Sequence, residues 1–255
     1  MVVAPENPLS GESAAAGSVP GSAALAACAA MAIFYVAILY SPTLILRLPP
    51  PSSIDSFMIR RFACAIVSSA VSVLASAILL GLGRFRDLSS VLGVFGIRKD
   101  HLAPFTEEMV FRACMIPLLL CGGFKTYTII FLSPVFFSLA HLNHFLELYF
   151  QQKYSFLKAF LIVGLQLGYT VIFGWYASFL FIRTGNLISP IVAHIFCNMM
   201  GLPVLSSSRT KGVATMAFAA GLAGFCWLLF PATSPDLYND QRDGCSCWQG
   251  YCSWN

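Results

Sequence analysis

Long apolar runs constrain this chain more than any other feature. A helix needs about 20 apolar residues to cross the hydrocarbon core of a bilayer, and a chain that is 58% hydrophobic supplies such runs repeatedly. We therefore predict an all-α, polytopic membrane protein with six to seven membrane-embedded helices. The apolar runs cover residues 22–46, 62–83, 126–142, 156–182, 187–205 and 212–231.

The pattern divides the chain into three regions. Residues 1–21 predict a disordered tail, and residues 22–231 predict the polytopic membrane domain. The tail lacks the basic start and short apolar core of a cleaved signal peptide, so the first run predicts a retained anchor. Residues 232–255 form a Cys-rich tail, whose three cysteines without a nearby histidine are a weak zinc signal. The net charge of +4 comes from scattered residues, which predicts no nucleic-acid partner.

One polar cluster holds two adjacent carboxylates and a guanidinium in a chain that is only 10% charged. Thr106 is a plausible N-cap, and acidic residues in a first helical turn often only complement the helix dipole. Arg112 favours a further role, because ionisable groups in membrane-embedded helices are costly and usually functional. Glu108 and Arg112 are four residues apart and predict a structural ion pair. Glu107 projects about 100° away and stays free to act as a base.

Two further polar pairs lie in apolar surroundings. His141 and His144 are three residues apart, a spacing that allows either a shared metal or separate roles. Glu147 continues the same helical face but adjoins a polar stretch, so we predict that it is solvated. His194 and Asn198 are four residues apart, and such a pair either hydrogen-bonds between helices or donates to the oxyanion of a tetrahedral intermediate.

The three clusters together suit hydrolysis. A glutamate can deprotonate water, a histidine can hold that water and protonate the leaving amine, and a second polar pair can stabilise the oxyanion. All six aspartates lie in loops or the tail, which excludes a membrane-buried aspartate dyad. Neither a G-x-S-x-G elbow nor an H-E-x-x-H zinc motif is present. Cys197 is a conceivable thiol nucleophile, but we predict a packing residue.

The clusters resemble the type II CAAX protease family, which includes the Ras-converting enzymes or CAAX prenyl proteases 2. That family carries the patterns E-E-x3-R, F-x3-H and H-x3-N in this order. The resemblance covers most of the chain, and its wider stretches include residues 105–120, 136–145, 164–203 and 238–255. The matching residues are Glu107-Glu108-x3-Arg112, Phe137-x3-His141 and His194-x3-Asn198.

The resemblance implies a multi-pass endopeptidase of the endoplasmic reticulum. It would remove the C-terminal aaX tripeptide from prenylated CaaX proteins such as small GTPases. Glu107 and His141 would activate the water, and His144 is an additional candidate. His194 and Asn198 would stabilise the oxyanion, and an apolar cavity open to membrane lipid would admit the isoprenoid. No metal or other cofactor is expected, although one zinc suits the same residues equally well.

The chain departs from the family at one join. Residues 96–102 resemble the family just after its second membrane helix, and they pass at once into residues 103–107. Family members carry a longer stretch here, so the chain looks like a form shortened near residues 101–105. Its activity is expected to be reduced or absent, and the alternative function is a catalytically inactive membrane binder or scaffold with the same fold. A transporter would be expected to show a repeat of the polar positions, and the sequence has none.

Overall fold

Seven helices account for the regular structure in the part of the chain that the computed structural model describes. That part comprises residues 19–49, 51–80, 102–200, 212–234 and 237–238. No strand occurs in these ranges. We number the helices α1 (Gly21–Leu44), α2 (Ile54–Leu80), α3 (residues 102–121), α4 (residues 126–151), α5 (Phe156–Thr184), α6 (Ile188–Met200) and α7 (Val213–Ala232).

Five of these helices are long and apolar enough to cross a membrane by length and composition, namely α1, α2, α4, α5 and α7. The shorter apolar helix α6 makes a sixth embedded candidate. The predicted fold class, an all-α polytopic membrane protein, is confirmed. The six apolar runs match these helices closely, but α2 begins at Ile54, before its run. Asp55, which was predicted to lie in a loop, is therefore in the first turn of this helix, where it is exposed.

The helix α3 changes its winding along its length. It is α-helical over Leu102–Glu108, π-helical over Met109–Cys114 and α-helical again over Met115–Cys121. The prediction that Thr106 is an N-cap is wrong, since the chain is already helical at Leu102. The threonine hydroxyl instead donates to the Ala103 carbonyl oxygen over 3.0 Å, as hydroxyls inside helices do.

The middle of α3 forms the core of the molecule. Its residues from Val110 to Leu119 are buried, and they pack against α1, α2 and α4. The Phe111 ring makes edge contacts with Tyr35 of α1 and Phe137 of α4, at centroid distances of 5.6 Å and 5.2 Å. The apolar residues after the two motif glutamates therefore hold this polar part of α3 at the centre of the bundle.

The helices α4 and α5 pair closely along their length. A Cβ atom added at Gly174 of α5 would lie only 2.6 Å from the Pro134 Cβ of α4, so glycine permits this approach. The Ser155 hydroxyl accepts from the Lys158 N–H at the start of α5, and Gly185 ends the helix in the left-handed conformation. The peripheral helix α7 contacts α5 through ring pairs such as Tyr176–Phe225.

The start of α2 and the end of α4 lie at the same end of the bundle, because Arg61 contacts Glu147 over 3.4 Å. Several predictions fall outside the described residues. They concern the N-terminal tail up to residue 18, nearly all of the Cys-rich C-terminal tail, and the join at His101. The three-region division of the chain accordingly stays a prediction.

Candidate active site

Glu108 lies at the centre of the polar cluster and has two partners. Its Oε1 atom accepts from Arg112 Nη1 over 3.0 Å and from His194 Nδ1 over 2.7 Å. Both Glu108 and Arg112 are 0% exposed. The motif glutamate therefore joins α3 to α6 as well as pairing within α3. Sequence spacing indicated only the pairing with Arg112.

The His194 imidazole lies between the two adjacent carboxylates. Its Nδ1 atom faces Glu108, and its Nε2 atom is 3.7 Å from Glu107 Oε2. The π-helical turn begins directly after Glu108, and such turns occur frequently at functional sites. One ring thus contacts both motif glutamates, which project from α3 in different directions.

Phe137 connects the three motifs, a role that sequence reasoning did not assign to it. The Arg112 guanidinium carbon lies 4.6 Å from the centre of the Phe137 ring, a cation–π distance. The same ring makes edge contacts with His141 and His194, at centroid distances of 4.9 Å and 6.0 Å. Phe173 of α5 lies against the other side of His194, with centroids 4.8 Å apart. These rings fix the positions of both histidines.

His141 is held by its own helix. Its Nδ1 atom lies 2.9 Å from the Phe137 carbonyl oxygen. Because a carbonyl oxygen only accepts, Nδ1 carries the proton, and in the neutral ring Nε2 is left as an acceptor. The Glu107 carboxylate is close enough to His141 to interact with it electrostatically. Glu107 is 21% exposed, whereas its neighbour Glu108 is fully buried.

The remaining candidates differ in position. Asn198 lies one turn beyond His194 on α6 and is exposed. His144 contacts Glu147 Oε2 through its Nδ1 atom over 3.1 Å, and its ring lies 6.0 Å from that of His141. Glu147, which was predicted to be solvated, is partly exposed, at 24% of its side chain, and it also pairs with Arg61. The half-buried Cys197 packs against the apolar core.

No group of three or more His, Cys, Asp or Glu side chains in the described ranges is arranged to hold a metal ion. An apolar cavity of about 670 Å³ lies between α1 and α4. Its wall includes Ala140 and Asn143, which come directly before and shortly after His141. The cavity is therefore adjacent to the candidate site, and its volume is in the range of small-molecule pockets.

The family model and the similar proteins that match this chain all indicate the same family. The family model for Type II CAAX prenyl endopeptidase Rce1-like matches residues 94–200. The chain is 47% identical to CAAX prenyl protease 2 of Arabidopsis thaliana, over 93% of this chain and 98% of the relative. It is 43% identical to CAAX prenyl protease 2 of Homo sapiens, over 56% of this chain and 44% of that relative. No solved structure matches the chain significantly.

The Arabidopsis alignment extends over 307 positions, more than the 255 residues of this chain. The relative therefore has residues for which this chain has no counterpart, as expected for a shortened form. All three polar motifs are nevertheless present, and the first two candidate residues, Glu107 and His141, lie inside the matched family region together with His194. This multi-pass membrane protein is a protease that belongs to the CAAX prenyl protease 2 family.

Proposed function

We propose that this chain is an intramembrane endopeptidase that removes the C-terminal aaX tripeptide from prenylated CaaX proteins. The observation that carries the proposal is the convergence of Glu107, His141 and His194 beside an apolar cavity. The relatives named CAAX prenyl protease 2 supply the substrate class. By the same likeness, small GTPases are the proposed substrates and the endoplasmic-reticulum membrane is the proposed location.

The first step is activation of a water molecule by Glu107. The carboxylate takes one proton from the water, while the His141 Nε2 atom accepts the other hydrogen as a hydrogen bond and orients the oxygen. The hydroxide forms a bond to the carbonyl carbon of the scissile amide, and the carbonyl electron pair moves onto its oxygen. Partial exposure of Glu107 supports this role, because water must reach the base.

His194 and Asn198 stabilise the resulting oxyanion. Arg112 balances the charge of Glu108, and a protonated His194 neutralises the second motif glutamate. Glu108 accepts from Nδ1 of that imidazolium, so the Nε2–H is available to the oxyanion. Asn198 lies one helical turn further along α6 and donates from its amide. Glu108 and Arg112 are the structural ion pair that positions this ring.

The tetrahedral intermediate then collapses. The electron pair returns to the carbonyl, the bond between carbon and nitrogen breaks, and the proton held by Glu107 passes to the leaving amine, directly or through His141. The products are the free aaX tripeptide and a protein that ends in a prenylcysteine carboxylate. Acid–base chemistry by these side chains completes the reaction, so the proposal needs no metal.

The apolar cavity between α1 and α4 receives the isoprenoid. The prenylated cysteine is adjacent to the scissile bond, so its lipid chain must lie within a few ångströms of the reacting carbon. Cavity residues Ala140 and Asn143 flank His141 in the sequence, which supports this placement of the isoprenoid. Burial of a long hydrocarbon chain also contributes binding free energy, at about 25 cal/mol per Å² of apolar area removed from water.

The test measures aaX release from a farnesylated CaaX peptide by membranes that contain this chain. Glu107→Gln keeps the shape of the side chain but removes the base, so release should fall by roughly 10²–10⁴-fold. Matched abundance and thermal unfolding of the two preparations show that the fold is retained. A strong zinc chelator, added in parallel, separates the metal-free reaction from a zinc-dependent one.

Unchanged release by Glu107→Gln would reject Glu107 as the base. No release from a well-folded wild-type chain would instead support the alternative of a catalytically inactive membrane binder.

A further inference from the structure

A second polar cluster lies outside the proposed catalytic set, where the start of α2 meets the end of α4. Glu147 bridges two basic side chains: its Oε1 atom contacts Arg61 Nη1 over 3.4 Å, and its Oε2 atom contacts His144 Nδ1 over 3.1 Å. Sequence spacing gave no indication of the contact with Arg61, which is 86 residues away. The mechanism proposed above uses none of these three side chains.

The cluster borders the proposed catalytic residues on two sides. The His144 ring lies 6.0 Å from the His141 ring, measured between centroids. On the α1 side, Tyr35 is within electrostatic reach of both Arg61 and Glu107. The Tyr35 hydroxyl is 3.3 Å from the hydroxyl of Thr106, the residue before Glu107. Arg61 and Glu107 thus both lie near Tyr35.

Arg61 has the chemistry to bind a further carboxylate. Its side chain is 26% exposed, and the 3.4 Å contact with Glu147 engages only Nη1. A guanidinium carries five N–H donors in a planar fork that matches both oxygens of a carboxylate. The Phe57 ring lies under the guanidinium, 5.2 Å from its carbon, and restricts its motion. Arg112, by contrast, is fully buried against Glu108.

We propose that Arg61 binds the C-terminal carboxylate of the substrate, with Glu147 and His144 positioning the guanidinium. This inference rests on the proposed function, in which the bond that breaks lies three residues before the chain terminus. Three extended residues span roughly 10 Å, so the terminal carboxylate must lie about that far from the catalytic water. Arg61 is separated from His141 by two side chains, His144 and Glu147, which corresponds to a distance of this order.

The consequence is selection for substrate length. A peptide is cleaved three residues from its end because its carboxylate reaches Arg61 while its isoprenoid occupies the cavity. A C-terminal amide lacks the charge and is expected to bind more weakly. The loss appears in KM rather than in kcat, because Arg61 contacts a part of the substrate that does not react.

The experiment compares a farnesylated CaaX peptide with a free carboxylate and the same peptide as its C-terminal amide. The wild-type chain should favour the carboxylate in kcat/KM by about 10- to 100-fold, the range of a charge-assisted hydrogen bond. Arg61→Gln should reduce this preference to near unity, through a higher KM for the carboxylate peptide only. Arg61→Lys should restore part of it, because the charge remains while the fork is lost.

Arg60→Gln is the matched control, since it removes the adjacent charge from the same helix. Arg60 donates to the Pro49 carbonyl oxygen over 2.6 Å, and its substitution should leave the preference unchanged. An Arg61→Gln enzyme that loses activity on both peptides equally would overturn the proposal in favour of a structural role. Equal cleavage of the two peptides by the wild-type chain would overturn it as well.

A binding measurement separates this inference from the proposed function. The two peptides are bound to the chain carrying Glu107→Ala, with and without Arg61→Gln. A carboxylate preference that depends on Arg61 supports the carboxylate site even if no peptide is ever cleaved, in which case only the proposed function fails. Equal binding of the two peptides to Glu107→Ala overturns the carboxylate site, whatever the cleavage assay shows.

Discussion

His194 contacts both motif glutamates, and this contact determines what each carboxylate can do. Glu108 is fully buried and accepts from both Arg112 and His194 through one oxygen atom. It is therefore engaged in structure, whereas the half-buried Glu107 keeps a longer contact of 3.7 Å with His194. Two adjacent carboxylates in an apolar environment need compensating cations, because uncompensated charge at low dielectric constant is very costly. Arg112 supplies one of them, and in the proposed mechanism a protonated His194 supplies the other.

Removing the Arg112 guanidinium should therefore lower the stability of the fold and not only the rate of the reaction. Arg112→Gln leaves Glu108 buried with His194 alone and removes the cation–π contact with Phe137. Breaking a buried ion pair by loss of one partner costs about 3–5 kcal/mol. We expect a markedly lower unfolding midpoint and folded yield in detergent. Arg60→Gln, which removes a half-buried arginine of α2, is the control, and equal midpoints for the two variants would contradict the structural role of Arg112.

At the scale of helices, the close pairing of α4 and α5 positions the site. The helix α4 carries Phe137 and His141, and α5 carries Phe173, whose ring packs against His194. Gly174 follows Phe173 directly and lies against Pro134. The approach of these two backbones thus sets the distance between the ring of Phe173 and the histidines. A change in that spacing should move side chains at the candidate site.

Gly174→Ala tests this dependence. The new Cβ would lie 2.6 Å from the Pro134 Cβ, and a proline ring in a helix cannot rotate away. The helices must separate, and overpacking of this kind costs about 1–3 kcal/mol. We expect a lower unfolding midpoint together with reduced aaX release.

Gly168→Ala on the same helix is the matched control for Gly174→Ala. A Cβ there meets nothing within 4 Å, and alanine favours the helix by roughly 0.5–1 kcal/mol over glycine. Equal effects of the two substitutions would show that the α4–α5 spacing is not critical.

At the scale of the whole molecule, sequence patterns predicted contacts within helices better than contacts between them. The spacing of Glu108 and Arg112 predicted their pairing, because helical periodicity determines which residues four apart share a face. The contact of Glu108 with His194 spans 86 residues, and no local pattern encodes the packing of α3 against α6. The π-helical turn had no sequence signal either. The prediction of Thr106 as an N-cap was wrong because the helix already includes Pro104, and the first turn of a helix tolerates proline.

The last prediction concerns the whole molecule and follows from the shortened join near residues 101–105. The described helices α1 and α2 pack against α3, so both sides of the join meet around the candidate site. The Arabidopsis relative nevertheless has additional residues, since its alignment with this chain covers 307 positions. If these residues form part of the scaffold at residues 101–105, their absence exposes apolar surface and lowers the population of the assembled site. We therefore expect reduced aaX release from the chain as it stands.

Inserting the corresponding segment of the relative after His101 should then raise both folded yield and aaX release per folded molecule. The control is an insertion of equal length and scrambled sequence, which tests whether length alone is responsible. Glu107→Gln in the extended chain should abolish the gain in release but not the gain in folded yield, because only the reaction needs the proposed base. An insertion that changes neither yield nor release would show that α1 to α7 already form a sufficient scaffold.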